Sequence, residues 1–311
     1  MTARDLLEVT DLSSAELATI IDLAERPVAS LGRPLEAKGA ALIFQKASNR
    51  TRHSMEIAVV QLGGHPVYTR GDEVGFDVRE PVEDVGRILE GYHALIAARV
   101  FEHSIVERLA AAVDVPVVNM LSDRAHPLQA LADVLTMHQL LGELRGRTVA
   151  WVGDYNNVAR SLGEACALSG MHLRFGCPPG YDADDAELER LELLGAASVA
   201  QTGRVVEAVV GADAVHTDTW VSMGQEAEKQ ERITAFESFT VDEQVMAAAV
   251  PGAVFMHCLP AYRGLEVTAE VIDGPQSAVF RQGHNRLHAA RGALAFLLGV
   301  TSPDATGGAT A

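Results

Sequence analysis

Residues 40–62 read AALIFQKASNRTRHSMEIAVVQL. An apolar run, Ala40 to Phe44, is followed by a polar turn, Ser48-Asn49-Arg50-Thr51-Arg52, and then by a helical pattern starting near His53. Met55, Ala58, Val59 and Leu62 fall at i, i+3, i+4 and i+7, so the helix has one apolar face to bury. A strand that ends in two arginines at a helix N-terminus places charge-assisted donors, open backbone N–H groups and a favourable dipole at one point. The expected ligand carries a phosphate or a carboxylate, and the competing reading is a solvated arginine turn.

The strand-turn-helix pattern recurs along the chain. Pro66–Thr69, Ala94–Ala98 and Val115–Asn119 follow in the first half, then Thr148–Val152, His172–Phe175, Ala214–Thr217 and Ala253–His257. Such alternation predicts α/β architecture, here two doubly wound parallel-sheet domains. Leu128, Leu131, Val134, Leu135 and His138 predict a joining helix from Pro127 to Gly142. The domains are expected at 1–135 and 136–276, with a helix over about 277–300 packing back on the first and a disordered tail over 301–311. Ligands of such folds bind outside the C-terminal ends of strands, and a cleft between two sheets suits a bisubstrate reaction.

Composition narrows the function. The chain has 311 residues, 48% of them hydrophobic, and a formal net charge of −17. That charge disfavours nucleic acid and anionic membranes as partners, since both call for a basic face. No apolar run reaches the roughly 20 residues of a membrane span. The acidic, interrupted start MTARDLLEVTDL is unlike a signal peptide, so a cytoplasmic enzyme is expected. Cys166, Cys177 and Cys258 are odd in number and lack a C-x-x-C, which speaks against disulfides and a thiolate zinc site. His284 and His288 stand four apart without the glutamate of a zinc-protease helix and are read as a solvated pair. In so acidic a chain Arg50, Arg52, Arg99 and Arg286 gain weight as local anion receptors.

Further segments carry polar groups at strand ends or helix starts. His126 precedes the Pro127 helix with Gln129 in its first turn. A neutral imidazole there can donate to a developing oxyanion, or simply cap the helix. Gly153-Asp154-Tyr155-Asn156-Asn157 lacks the second and third glycines of a dinucleotide fingerprint, and either asparagine could cap the next helix. Asp218 leaves a strand before Trp220, Ser222 and Met223 and could pair with a substrate ammonium or cap a turn. The polar stretch Gln225 to Glu243 shows no clear period and reads as a lid-like loop. His257-Cys258-Leu259-Pro260 ends another strand, with Cys258 either packed or facing a ligand.

Taken in order, Ser-x-Arg-Thr-Arg at 48–52, Arg99, HPLQALAD at 126–133, GDYNN at 153–157, DTWVSMG at 218–224, HCLP at 257–260 and NRLH at 285–288 resemble the aspartate/ornithine transcarbamoylase family, on its ornithine-specific branch. The resemblance spans nearly the whole chain. It implies transfer of the carbamoyl group of carbamoyl phosphate to the side-chain amine of L-ornithine, giving L-citrulline and phosphate. By the same resemblance Ser48, Asn49, Arg50 and Thr51 hold the phosphate, and Thr51, Arg99 and His126 contact the carbonyl oxygen. Gln129, Cys258, Leu259 and Arg286 fix the carbamoyl group; Asn157, Asp218, Ser222 and Met223 receive ornithine. The catalytic set is Arg50, Arg99, His126 and Cys258, with Cys258 aligning ornithine rather than acting as nucleophile. The resemblance implies no metal or organic cofactor, a homotrimer with interface active sites and a place in arginine biosynthesis. Asn49 stands where the family often has Thr, and Glu73, in the loop Gly71 to Gly75, where Gln is usual. The rivals are a transcarbamoylase for putrescine or an acylated ornithine, a nicotinamide oxidoreductase, and a non-catalytic binder of the same fold.

Overall fold

The computed structural model describes residues 4–221 and 226–301. Among the described residues are nine strands: β1 (Gly39–Phe44), β2 (His65–Arg70), β3 (His93–Arg99), β4 (Val117–Leu121), β5 (Thr148–Val152), β6 (His172–Gly176), β7 (Ser198–Thr202), β8 (Ala214–Thr217) and β9 (Val254–His257). They form two parallel sheets, ordered β2-β1-β3-β4 and β7-β6-β5-β8-β9. The helices that carry the argument are α1 (Asn49–Gln61), α2 (Pro127–Leu141), α3 (Asn157–Leu168), α4 (Lys229–Phe236) and α5 (Val279–Leu297). The chain divides into two compact units: one runs to Leu135 and resumes at Asn285, the other is Thr136–His284. Both divisions fall inside helices, α2 and α5.

In the first unit, β1 reads as an unbroken apolar run because helices cover both of its faces. Ala41, Ile43, Ile96, Ala98 and Val117 pack against Val82, Val85, Ile105, Val106 and Leu109. On α1, Met55, Ala58 and Val59 are buried. The second unit builds its core on Ala150, Val152, Val215 and Phe255, packed with Trp220, Phe236, Phe239 and Val271.

Three sequence expectations change. First, α1 starts at Asn49 rather than near His53. Ser48 is its N-cap, accepting from the Thr51 N–H, and the first turn carries polar residues that hydrophobic periodicity does not register. Second, β7 is an additional strand; it lies at a sheet edge and its side chains are exposed or half-buried, so it carries no apolar run. Third, the polar stretch after residue 225 is largely helical, with α4 and a short turn at Glu237–Phe239. Its anchors are Arg232, Phe236 and Phe239, and the buried arginine breaks the apolar pattern. The positions Ser222 and Met223, and the tail from residue 302, lie outside the described residues.

Candidate active site

Each sheet has a point where the strand order reverses, between β1 and β3 in one and between β5 and β8 in the other. Loops leaving adjacent strands there diverge to opposite faces and open a crevice at the carboxyl ends. The singled-out residues collect at these two points.

In the first unit the register pairs Phe44 with Arg99, and the Gln45 N–H donates to the Arg99 carbonyl at 2.8 Å. Arg99 therefore leaves its strand beside the turn that opens α1. The Thr51 hydroxyl is the focus: it accepts from Arg286 Nη2 at 2.9 Å and from Arg99 Nη1 at 3.3 Å, and Ser48 Oγ lies 3.0 Å away. Arg286 Nη1 also donates to Gln129 Oε1 at 2.6 Å. The orientation of that amide is fixed by Asp133, whose Oδ1 accepts from Gln129 Nε2 at 2.7 Å. Thr51, Arg99, His126, Gln129 and Arg286 are all buried, so two guanidinium groups sit in a medium that strengthens their field. Burial, with Arg286 and Arg99 adding their charge, holds the His126 imidazole well below the usual histidine range. It is neutral at pH 7 and able to donate without carrying charge.

Arg286 is aimed by the packing of α5. Arg291, five residues on, donates to the Ala24 carbonyl at 2.7 Å and to Gln61 Oε1 at 2.9 Å. Gly292 faces the helix Ser14–Glu25 so closely that a Cβ would come within 2.6 Å of the Ile20 carbonyl. Of the two arginines in the 48–52 turn, Arg52 bonds Glu56 at 2.8 Å with its guanidinium 3.6 Å from the Tyr68 ring centroid. Arg50 is half-buried in the first turn of α1, next to Asn49.

In the second unit Val152, Thr217 and His257 are aligned across β5, β8 and β9, so Gly153, Asp218 and Cys258 each follow the same row. Asp218 is buried and central. Its Oδ1 accepts from Cys258 Sγ at 3.1 Å and from the Thr219 N–H at 2.8 Å, and its Oδ2 accepts from Asn156 Nδ2 at 3.1 Å. Asn156 is the N-cap of α3, its Oδ1 accepting from the Val158 and Ala159 N–H groups. Asn157 is the first residue of that helix. Arg232, from α4, donates to Asp154 Oδ2 at 2.8 Å and to the Trp220 carbonyl at 3.3 Å, tying the ends of β5 and β8 together.

Asp218, His257 and Cys258 place one potential metal ligand each within 4.8 Å of one another. Both nitrogens of His257 are already engaged, Nδ1 by the Leu259 N–H at 2.9 Å and Nε2 by Glu266 Oε1 at 3.3 Å. The trio is thus a hydrogen-bond network in which the imidazole has no lone pair to offer a cation.

Asp133, Asn156, Arg232 and Glu266 are contributors that sequence reasoning did not assign. Asp133 lies four residues after Gln129 on one helix, a spacing that signals contact. Asn156 was legible as a cap, not as a partner of Asp218. Arg232 and Glu266 act across 78 and 9 residues of chain, and local pattern gives no sign of either.

The chain is similar to known proteins over nearly its whole length. The family model described as the aspartate/ornithine carbamoyltransferase carbamoyl-P binding domain matches residues 4–139, and the one described as its Asp/Orn binding domain matches residues 145–297. The chain is 48% identical over 297 residues to an ornithine carbamoyltransferase of Thermus thermophilus, covering 95% of this chain and 97% of that one. An ornithine carbamoyltransferase of Parafrankia is 44% identical over 311 residues, covering 97% and 98%. Among solved structures, the ornithine carbamoyltransferase from Pyrococcus furiosus superimposes with a TM-score of 0.91 at 41% identity, covering 97% of this chain and 99% of that chain.

Proposed function

The chain belongs to the aspartate/ornithine carbamoyltransferase family, and from that premise we propose that it transfers the carbamoyl group of carbamoyl phosphate to the side-chain amine of L-ornithine, giving L-citrulline and phosphate. The observation that carries the choice of ornithine is the buried Asp218 held by Cys258 and Asn156. A carboxylate at this position receives an ammonium group; aspartate as acceptor would call for a cation.

In this reading Ser48, Asn49, Arg50 and Thr51 bind the phosphate, and Arg99, His126 and Thr51 donate to the carbonyl oxygen. Gln129, Arg286, Cys258 and Leu259 hold the carbamoyl group, and Asn157, Asp218, Ser222 and Met223 receive ornithine. The substrate's side-chain amine, near pKa 10.4 by analogy with lysine, must lose its proton before it attacks. Attack on the carbamoyl carbon forms a C–N bond and a tetrahedral oxyanion. Collapse of that oxyanion breaks the C–O bond to phosphate, which departs toward Arg50 with the proton released from nitrogen. Neutral His126 suits the oxyanion because it donates without acting as an acid. No step calls on a metal or an organic cofactor.

Arginine biosynthesis, a cytoplasmic setting and a homotrimer with interface active sites belong to the same reading. No helix among the described residues is long and apolar enough to cross a membrane. Support for assembly comes from exposed apolar side chains of the first unit, among them Val78, Tyr92, Ile88 and Val60. In the short helix Gly71–Val74, Glu73 accepts from the Arg70 N–H at 3.0 Å.

A steady-state panel of ornithine, N-acetylornithine, putrescine and aspartate with carbamoyl phosphate tests the assignment. Citrulline from ornithine with the highest kcat/KM supports it, and a clear preference for putrescine or the acylated amine overturns it. Light scattering tests the trimer.

A further inference from the structure

We propose that His257 and Glu266 are positioning residues which lock the turn Cys258–Leu259 and thereby aim the Cys258 thiol at the Asp218 carboxylate. The inference rests on the reading of Asp218 and Cys258 as ornithine receptors and assigns what holds them.

Leu259 has φ of +60°, a left-handed conformation that is strained for a non-glycine residue. It persists only where its surroundings over-determine it. The local constraint is a hydrogen bond from the Leu259 N–H to His257 Nδ1 at 2.9 Å. This side chain to i+2 backbone bond has the form by which Asn or Asp closes a turn. Because Nδ1 accepts, the ring proton resides on Nε2, which donates to Glu266 Oε1 at 3.3 Å. The same Glu266 oxygen accepts the Tyr262 N–H, so one carboxylate ties down the chain both before and after Leu259. The His257 N–H is bound in turn by Gln282 Oε1 at 2.8 Å.

Both side chains of the pair are fully buried. The second carboxylate oxygen of Glu266 has no hydrogen-bond partner among the described residues. As a prop for the fold alone, such a pair is a poor choice, since apolar residues of similar volume are often as stabilising. What apolar residues cannot supply is the acceptor that fixes Leu259 and the carboxylate that fixes the tautomer of that acceptor. Cys258 lies between these constraints, and its Sγ meets Asp218 Oδ1 at 3.1 Å.

The test measures the thiol as well as turnover. Native protein is treated with iodoacetamide and alkylation is mapped by mass spectrometry, with the buried Cys166 and Cys177 as internal controls of global opening. In the wild type Cys258 Sγ is engaged by Asp218 Oδ1 at 3.1 Å, so Cys258 reacts slowly. H257A is expected to speed alkylation of Cys258 several-fold, to leave Cys166 and Cys177 protected, and to lower kcat/KM for ornithine roughly 10²-fold, the usual effect of a misplaced contact. H257N keeps an acceptor for the Leu259 N–H and should recover most of both changes; E266Q, which keeps an acceptor for Nε2, should fall between.

Should H257A not fold, H257N is compared with H257Q, whose longer amide reaches toward Glu266 and leaves the turn unsupported. Slower alkylation in H257N than in H257Q then supports the proposal. Unchanged alkylation and kcat/KM in H257A, or H257N no better than its alanine or glutamine counterpart, overturns it. Alkylation needs no turnover, so a wild-type protein that makes no citrulline would refute the proposed function without deciding this point.

Discussion

The two strand-reversal points use opposite chemistry on the same topological device. In the first unit the centre is cationic: Arg99 and Arg286 converge on neutral oxygens of Thr51 and Gln129, and His126 is kept uncharged beside them. In the second the centre is Asp218, surrounded by donors of little or no charge from Cys258, Asn156 and the Thr219 backbone. The contrast shows that a doubly wound sheet dictates where a ligand binds, while the residue that follows each strand dictates its charge. That division suits the proposed reaction, in which one unit receives an anion that gains negative charge and the other a zwitterion with an extra ammonium.

Removing the charge from the first centre should have the largest effect. R99Q keeps a donor but not the cation, and kcat is expected to fall about 10²–10³-fold, as for loss of one oxyanion donor. If saturating substrates restore the rate, Arg99 acts in binding and the cationic centre is not where the barrier is lowered. In the second centre D218N preserves shape and removes charge. Loss of a charge-assisted hydrogen bond, roughly 1.5–3 kcal/mol, predicts a 10- to 100-fold rise in KM for ornithine with the carbamoyl phosphate KM little changed. A rise in the carbamoyl phosphate KM instead would blur the division of labour.

Smaller effects probe how the cationic centre is held. G292A drives a methyl against the Ile20 carbonyl and should cost about 1–3 kcal/mol in denaturant unfolding. Because α5 also carries Arg286, carbamoyl phosphate affinity should fall with it; a stable variant with unchanged affinity would show that the close approach does not aim the arginine. The pH dependence is the mildest test. His126 has a folded-state pKa below that of the free imidazole, so the unfolded chain takes up its proton first. Its contribution to stability is complete above about pH 6.5 and is lost as pH falls below that, by at most about 1.4 kcal/mol per pH unit. H126N should flatten this part of the stability profile relative to wild type, and parallel profiles would mean that His126 is not buried neutral.

Sequence revealed the elements whose signal is local. The apolar runs of β1, β3, β5 and β8 and the spacing of α2 could be read directly, and so could the residues that follow those strands. The start of α1 is masked in the sequence because Asn49, Arg50 and Arg52 give a polar first turn. β7 leaves no such signal because an edge strand needs no apolar run. The helical character of α4 is hidden by Arg232, a charge that is buried where Asp154, Glu228 and the Trp220 carbonyl meet it. The contact with Asp154 joins residues 78 apart that topology brings together, and no local window along the chain contains both.

Thr51 carries a consequence beyond its own hydrogen bonds. With two guanidinium groups resting on a single hydroxyl, the receptor holds an internal stand-in for the oxygen it is made to seize. In the proposed reaction an arriving oxyanion takes over donors already collected and dried.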